Sequence, residues 1–203
     1  MITTKLIHQV GNFNFDNLQD AEIFEKYLTI FSDEQLDEIY LGYQSKIDYT
    51  VYAKPEFNVR QMIQIRKGLL DGLNVVLYAK PEFNNWQMEQ IRIGLRDGLE
   101  VSYYANTKFH YEQMREISWG LTDGLDVEIY SKPEFNTYQM LQIRRGLKKG
   151  LDVKIYARPE FDEFQMEQIR LGLENNIDVS SYLNSDIDWE EMLRIRLKLE
   201  NKK

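Results

Sequence analysis

Two histidines, His8 and His110, hold all the imidazole in the chain, and they lie far apart in dissimilar settings. No serine or lysine has a neighbouring base at the spacing that activates a nucleophile, so a catalytic triad has no support. Cysteine is absent, which removes disulfides and thiolate metal sites. The His-Glu-x-x-His and calcium-loop patterns are missing too. The Gly-Leu-x-x-Gly-Leu stretches lack the Lys-Ser/Thr ending of a phosphate loop. Carboxylates are plentiful, but they fall at caps and turns where helix dipoles account for them. The expectation is a protein that is not an enzyme, with no catalytic residues, no metal ligands and no cofactor. One segment stays open to cryptic hydrolytic or nucleotide-binding chemistry: His8 to Asp20, where Asn12, Asn14 and Asp16 alternate with Phe13 and Phe15.

A second group with chemical capacity is the ladder Arg66, Arg92, Arg144, Arg170 and Arg196. Such a stripe can grip phosphate or carboxylate. Each arginine also comes with a recurring acid, Glu56, Glu82, Glu134 or Glu160, or the acidic residue that opens the second half of the repeat. Ion pairs between repeats are the simpler expectation.

These residues are positioned by a tandem repeat. Phe31, Phe57, Phe83, Phe109, Phe135, Phe161 and Ile187 stand 26 residues apart, a period that marks one small module copied in series. Asn58 and Gln61 have capping-box spacing, and Phe57 and Met62 around them have the spacing of a hydrophobic staple. Met62, Ile65 and Leu69 then lie on one helical face. Gly72 suits the left-handed residue that closes a helix. Gly68 lies inside the helix at a cost of about 1 kcal/mol against alanine; close approach of a neighbouring helix backbone is the expected return. In the shorter second half, Asn74 or its equivalents cap one or two helical turns bearing Val75 and Tyr78. Pro55, Pro81, Pro133 and Pro159 then turn the chain. A strand here, as in leucine-rich horseshoes, lacks the asparagine and leucine ladder of that architecture.

The expected fold is all-α: an α-solenoid of about seven stacked two-helix repeats, a long helix plus a short one. Residues 1–30 form an N-terminal cap with a helix from about Asn17 to Leu28, and 31–203 form the array, its last copy acting as C-terminal cap. The structural repeat rests on Phe57, Met62, Ile65, Arg66, Gly68, Gly72 and Tyr78.

The chain has 203 residues, 43% hydrophobic and 29% charged, as expected of a folded protein rather than a disordered one. No apolar run approaches the roughly 18 residues of a membrane span, and the start lacks the pattern of a secretory signal. A cytoplasmic location is expected. The net charge of −8 argues against binding nucleic acid by neutralising phosphates. The sequence does not set an oligomeric state.

Residues that vary between copies are where a repeat surface binds. One column runs Arg60, Trp86, Glu112, Tyr138, Phe164, Glu190, and another Lys67, Ile93, Trp119, Arg145, Leu171. Trp86, Ile93, Trp119, Tyr138 and Phe164 are the candidate anchors for a protein partner; packing between adjacent repeats is the competing role. Thr107, His110 and Ser118 mark one irregular copy, which is either drift or a contact site.

The string Lys-Pro-Glu-Phe-Asn-x-x-Gln-Met-x-x-Ile-Arg-x-Gly-Leu-x-x-Gly-Leu-Asp-Val-x-x-Tyr-Ala resembles a tandem repeat of largely uncharacterised proteins from bacteria, phages and mobile elements. Residues 54–79, 80–105, 132–157 and 158–183 match it well, and 28–53, 106–131 and 184–203 in part. The resemblance carries no catalytic residues. It implies a context in which small accessory proteins block host machinery, including CRISPR effectors. The expected function is a non-enzymatic binding module that presents a rigid curved surface to a protein partner. The alternatives are an acidic decoy for a nucleic-acid groove and cryptic activity in the N-terminal segment.

Overall fold

The computed structural model describes residues 8–202; the start of the expected N-terminal cap, residues 1–7, and Lys203 at the end of the array lie outside the described residues. The described chain runs β1 (His8–Val10), β2 (Phe13–Phe15), α1 (Leu18–Tyr27), α2 (Asp33–Gln44), α3 (Val59–Leu70), α4 (Asn85–Arg96), α5 (Tyr111–Thr122), α6 (Thr137–Lys148), α7 (Glu163–Glu174) and α8 (Trp189–Glu200). It is an all-α helical repeat apart from the β1–β2 hairpin. It divides into two compact units, Met1–Arg92 and Ile93–Lys203, with the division inside α4.

From α2 to α6 each α-helix is followed by a single 3-10 turn, as at Val75–Leu77 and Val153–Ile155, whereas α7 is followed by an irregular turn. The expected short helix is therefore tighter and briefer than an α-helix. The helix starts as the spacing implies. Asn58 Oδ1 accepts from the Gln61 amide at 3.0 Å, and Gln61 Oε1 accepts from the Asn58 amide at 2.9 Å. The helix ends in a Schellman motif: Leu73 N–H donates to Gly68 C=O at 2.9 Å and Gly72 N–H to Leu69 C=O at 3.1 Å, with Gly72 at φ 68°. Lys46 takes the same position in the preceding repeat at φ 57°, a conformation that disfavours a side chain.

The Lys-Pro-Glu-Phe segment is a β-turn, closed by Phe57 N–H donating to Lys54 C=O at 3.1 Å, with proline at the position that suits its fixed φ. The same turn closes at Asn106–Phe109 and Asn184–Ile187, which lack the proline. There Asn106 Oδ1 accepts from Lys108 N at 3.0 Å and Asn184 Oδ1 from Asp186 N at 3.1 Å. An Asx turn thus replaces the ring constraint. The irregular copy keeps the common plan: α5 has the same twelve-residue length as α6.

The glycine inside each helix answers to a tyrosine rather than to a helix backbone. Tyr156, fully buried, folds back over α6 and donates its hydroxyl to Gln142 C=O at 3.2 Å. A Cβ on Gly146 would overlap that hydroxyl and stand 2.8 Å from Val153 Cγ1. Gly68 stands in the same relation to Tyr78, whose hydroxyl donates to Gln64 C=O at 3.2 Å. From α2 to α7 the core column of each repeat is then Phe57, Met62, Ile65 and Tyr78 or their equivalents, all buried.

In the first unit the hairpin and α1 cover α2. Phe13, Phe15 and Phe24 cluster with Tyr40 and Tyr43, ring centroids 4.6 Å apart for Phe15–Phe24 and 4.8 Å for Phe13–Tyr40. Tyr40 Oη donates to Asn14 C=O at 2.8 Å and Tyr43 Oη accepts from Asp16 N at 3.0 Å. Tyr40 occupies the repeat position that is Arg66 in the next copy, so the first helix exchanges its arginine for a residue that fits the hairpin. α1 has Asn17 as N-cap and Leu28 as C-cap, as the spacing implied. In the second unit α5 packs on α6, α6 on α7 and α7 on α8.

Two outcomes test this packing. Gly146→Ala gains about 1 kcal/mol of helix propensity but overpacks the site, for a net destabilisation of about 1–2 kcal/mol in urea unfolding. Tyr156→Phe in the same chain recovers part of that loss by removing the hydroxyl, a coupling that a double-mutant cycle measures. The second outcome concerns alkali. Burial pushes the hydroxyls of Tyr104 and Tyr182 up to about 12. It pushes those of Tyr52, Tyr78, Tyr130 and Tyr156 higher still, with a neighbouring arginine offsetting only part. A folded-state value above the unfolded one contributes stability that is present below the unfolded value and lost as pH rises through the folded one. The helical circular-dichroism signal is therefore expected to hold to about pH 9 and to collapse above pH 10, through about pH 12.

Candidate protein-binding surface

The surface is spaced by a glutamine in each repeat. Gln139 Oε1 accepts from the Asn136 amide at 2.7 Å, closing the start of its own helix. Its Nε2 donates to Pro159 C=O at 3.2 Å and Phe161 C=O at 2.6 Å in the next turn. Gln61 makes the same three bonds, with Nε2 reaching Pro81 C=O at 3.0 Å and Phe83 C=O at 2.7 Å. Gln165 reaches Ser185 C=O at 2.9 Å and Ile187 C=O at 2.8 Å. One buried amide thus ties a helix start to the turn that begins the following helix. The spacing showed only the capping half. The missed signal is residue type: glutamine stands at positions 35, 61, 87, 113, 139 and 165, and Glu191 in α8. A carboxylate can accept the capping bond but cannot donate onward.

The arginine ladder supplies a second tie, with different partners from those expected. Arg66 Nε donates to Glu38 at 2.6 Å and Arg144 Nε to Glu116 at 2.8 Å. Arg92, Arg170 and Arg196 make the equivalent bond to a neutral amide oxygen, of Gln64 at 3.0 Å, Gln142 at 2.9 Å and Gln168 at 3.1 Å. The acceptor lies 28 residues back, on the preceding helix. Glu160 instead meets Arg158 at 3.5 Å within its own turn. The turn acids sit at the helix entrance while the arginines lie two turns further along, so the expected Glu56-type pairing does not form. These arginines are side-chain-bonded between helices, which favours structure over anion capture.

On this frame the candidate anchors are exposed. Tyr138 is 63% exposed and Phe164 50%, at the same position of consecutive helices α6 and α7. Phe164 also meets Trp189 of α8, ring centroids 5.6 Å apart, so its role combines packing with exposure. Trp189 escaped the sequence reading because it stands one position ahead of the column. Trp119, 43% exposed, lies two turns along α5 from Glu112, on the same helical face. The guanidinium of Arg115 stands 4.9 Å from its ring centroid and that of Arg144 5.3 Å. Two cations over one indole hold the ring in place. Trp86, 50% exposed, belongs to the first unit. Ile93, partly exposed, opens the second. Beside Arg145 a cleft of about 350 Å³ is lined by Lys148, Lys149, Arg170 and Glu174.

His8 lines a concavity with Glu22 and Glu25, whereas Asp16 lines another with Asp20, Tyr40 and Tyr43. His110 stands 3.6 Å from Glu112 at the surface. No cluster of three or more metal-ligating side chains occurs among the described residues. No described helix is long and apolar enough to cross a membrane.

No protein-family model, no curated protein and no solved structure matches the chain.

The glutamine tie predicts a specific loss. Gln139→Glu keeps the capping acceptor but sets a carboxylate against two carbonyl oxygens. A destabilisation of at least about 1–3 kcal/mol in urea unfolding at neutral pH is expected, with partial recovery already as pH falls toward about 4, because a carboxyl facing carbonyl oxygens protonates more readily in the folded chain. Glu191→Gln in α8 is expected to change stability by less than about 0.5 kcal/mol.

Proposed function

We propose that this chain is a non-enzymatic helical-repeat protein that binds a protein partner through the exposed aromatics of its second unit. The observation that carries the reading is Tyr138 and Phe164 at matched positions of adjacent helices, both at least half exposed, with the guanidiniums of Arg115 and Arg144 against the ring of Trp119. Large rings on rigid helices lose little entropy on association, and aromatic and arginine side chains dominate binding energy at interfaces. The partner proposed from the motif's resemblance to bacterial, phage and mobile-element repeats is a component of a bacterial defence system, such as a CRISPR effector. That part of the reading rests on the resemblance alone.

The acidic-decoy reading has less support. It needs acids lining one face of the array, yet α6 carries Arg144, Arg145 and Lys148 and no acid. Cryptic activity in the N-terminal segment has less still, since His8 and Asp16 line different concavities.

The test is affinity capture from the native host with wild-type protein and with Tyr138→Ala/Phe164→Ala. A partner held by wild type in high salt is expected to lose at least about tenfold in affinity to the double variant, with the helical circular-dichroism signal of that variant retained. A partner that binds both proteins equally and is released by salt supports the decoy instead.

A further inference from the structure

A separate observation, the segregation of charge along the chain, carries a further reading of the α6 face that also holds Tyr138. Residues 8–48 hold nine acidic residues against Lys26 and Lys46, a net of −7 in a chain of −8. Residues 137–149, α6 and its C-cap, hold Arg144, Arg145, Lys148 and Lys149 and no acid. Arg144 and Lys148 are paired, with Glu116 at 2.8 Å and Asp123 at 2.9 Å. Arg145 and Lys149 are exposed and make no ion pair among the described residues. On α2 the same holds for Asp33 and Asp37. Helix dipoles favour acids at the start of α2 and cations at the end of α6, but that favours one or two charges per end, not the exclusion of the opposite sign.

The two outer faces match in pattern as well as in sign. Along α2, Asp33, Asp37 and Leu41 follow at intervals of four, and Leu41 is 40% exposed. Along α6, Tyr138, Arg145 and Lys149 follow at intervals of seven and four, which is again one face. Laid antiparallel with Lys149 against Asp33, the helices set Arg145 against Asp37 and Leu41 against Leu141, with Tyr138 one turn beyond. The apolar pair lies at one end and two opposite-charge pairs at the other, and the helix dipoles oppose favourably.

We propose that the outer face of α2 in one copy of this chain docks antiparallel on the outer face of α6 in a second copy, so that the protein associates with itself through opposite charges flanking an apolar contact. The association is strong at low ionic strength and weakens as salt shortens the screening length, from about 10 Å at 0.1 M to about 3 Å at 1 M. This does not rest on the partner proposed above.

Sedimentation equilibrium of the full chain tests it. Wild type is expected to show a mass above the monomer that rises with concentration at low salt and falls to the monomer at about 1 M salt. Arg145→Glu/Lys149→Glu and Asp33→Lys/Asp37→Lys are each expected to be monomeric alone, because each sets like charges face to face. Mixed in equal amounts they re-associate, since the acidic α6 of one meets the basic α2 of the other. A wild type that is monomeric at every concentration overturns the proposal. So does association that either variant retains, or a mixture that stays monomeric. All four positions are exposed; should a double variant fail to fold by circular dichroism, Arg145→Glu and Asp37→Lys replace the pair in the same mixing experiment.

Discussion

One hydrogen-bonded amide carries the architecture. Gln139 closes its own helix with the oxygen and holds the next turn with the nitrogen, and Gln61 and Gln165 repeat the arrangement. The carbonyls it serves lie at a turn with no ladder partner of its own, and leaving them buried and unpaired is costly. Helix start and helix spacing are therefore set by the same atoms. The arginine bond 28 residues back sets the same pair of helices at a second point two turns along, as Arg144 to Glu116 does between α5 and α6. Between α6 and α7 the two ties, from Gln139 and from Arg170, leave little freedom for the side chains between them, and Tyr138 and Phe164 inherit their alignment from that.

Within a repeat the equivalent constraint is steric. Tyr156 needs the space above Gly146, and its hydroxyl takes a carbonyl of the same helix. The tyrosine pins the 3-10 turn to the helix it has just left, so one module carries its own folded corner while still exposing an apolar side for a neighbour. The glycine's cost in helix propensity is offset by burial of a complete aromatic ring, worth on the order of 2–3 kcal/mol.

Much of this was legible in the residues because it is local. Asn17, Asn58 and Gln61 announce helix starts by spacing alone, and Gly72 announces a helix end, since caps involve residues within a turn of one another. What escaped involves pairs distant in sequence. Along the sequence Gly68 points to a neighbouring helix, because Tyr78 returns only after the chain has turned. The arginines were assigned the recurring turn acids because a reading along the chain sees the acids nearby and not Glu38 on the helix behind. In the hairpin the alternation of Phe13 and Phe15 was visible, but strands of three residues are too short for alternation to outweigh other readings. On the surface, the variability of Tyr138, Phe164 and Trp119 between repeats leaves exposure and packing equally open; all three are exposed, and Phe164 also meets Trp189. The bracing of Trp119 did not, since Arg144 reaches it from the next module.

The glutamine tie ends on main-chain oxygens, of Pro159 and Phe161 or of Ser185 and Ile187. A seam whose acceptors are backbone atoms asks nothing of the neighbour's side chains, so at this tie adjoining modules have no need to co-evolve, whereas the arginine tie keeps its demand for Glu or Gln on the helix behind. Duplication, loss or exchange of whole modules by recombination leaves such seams intact, while the outward columns are free to diversify.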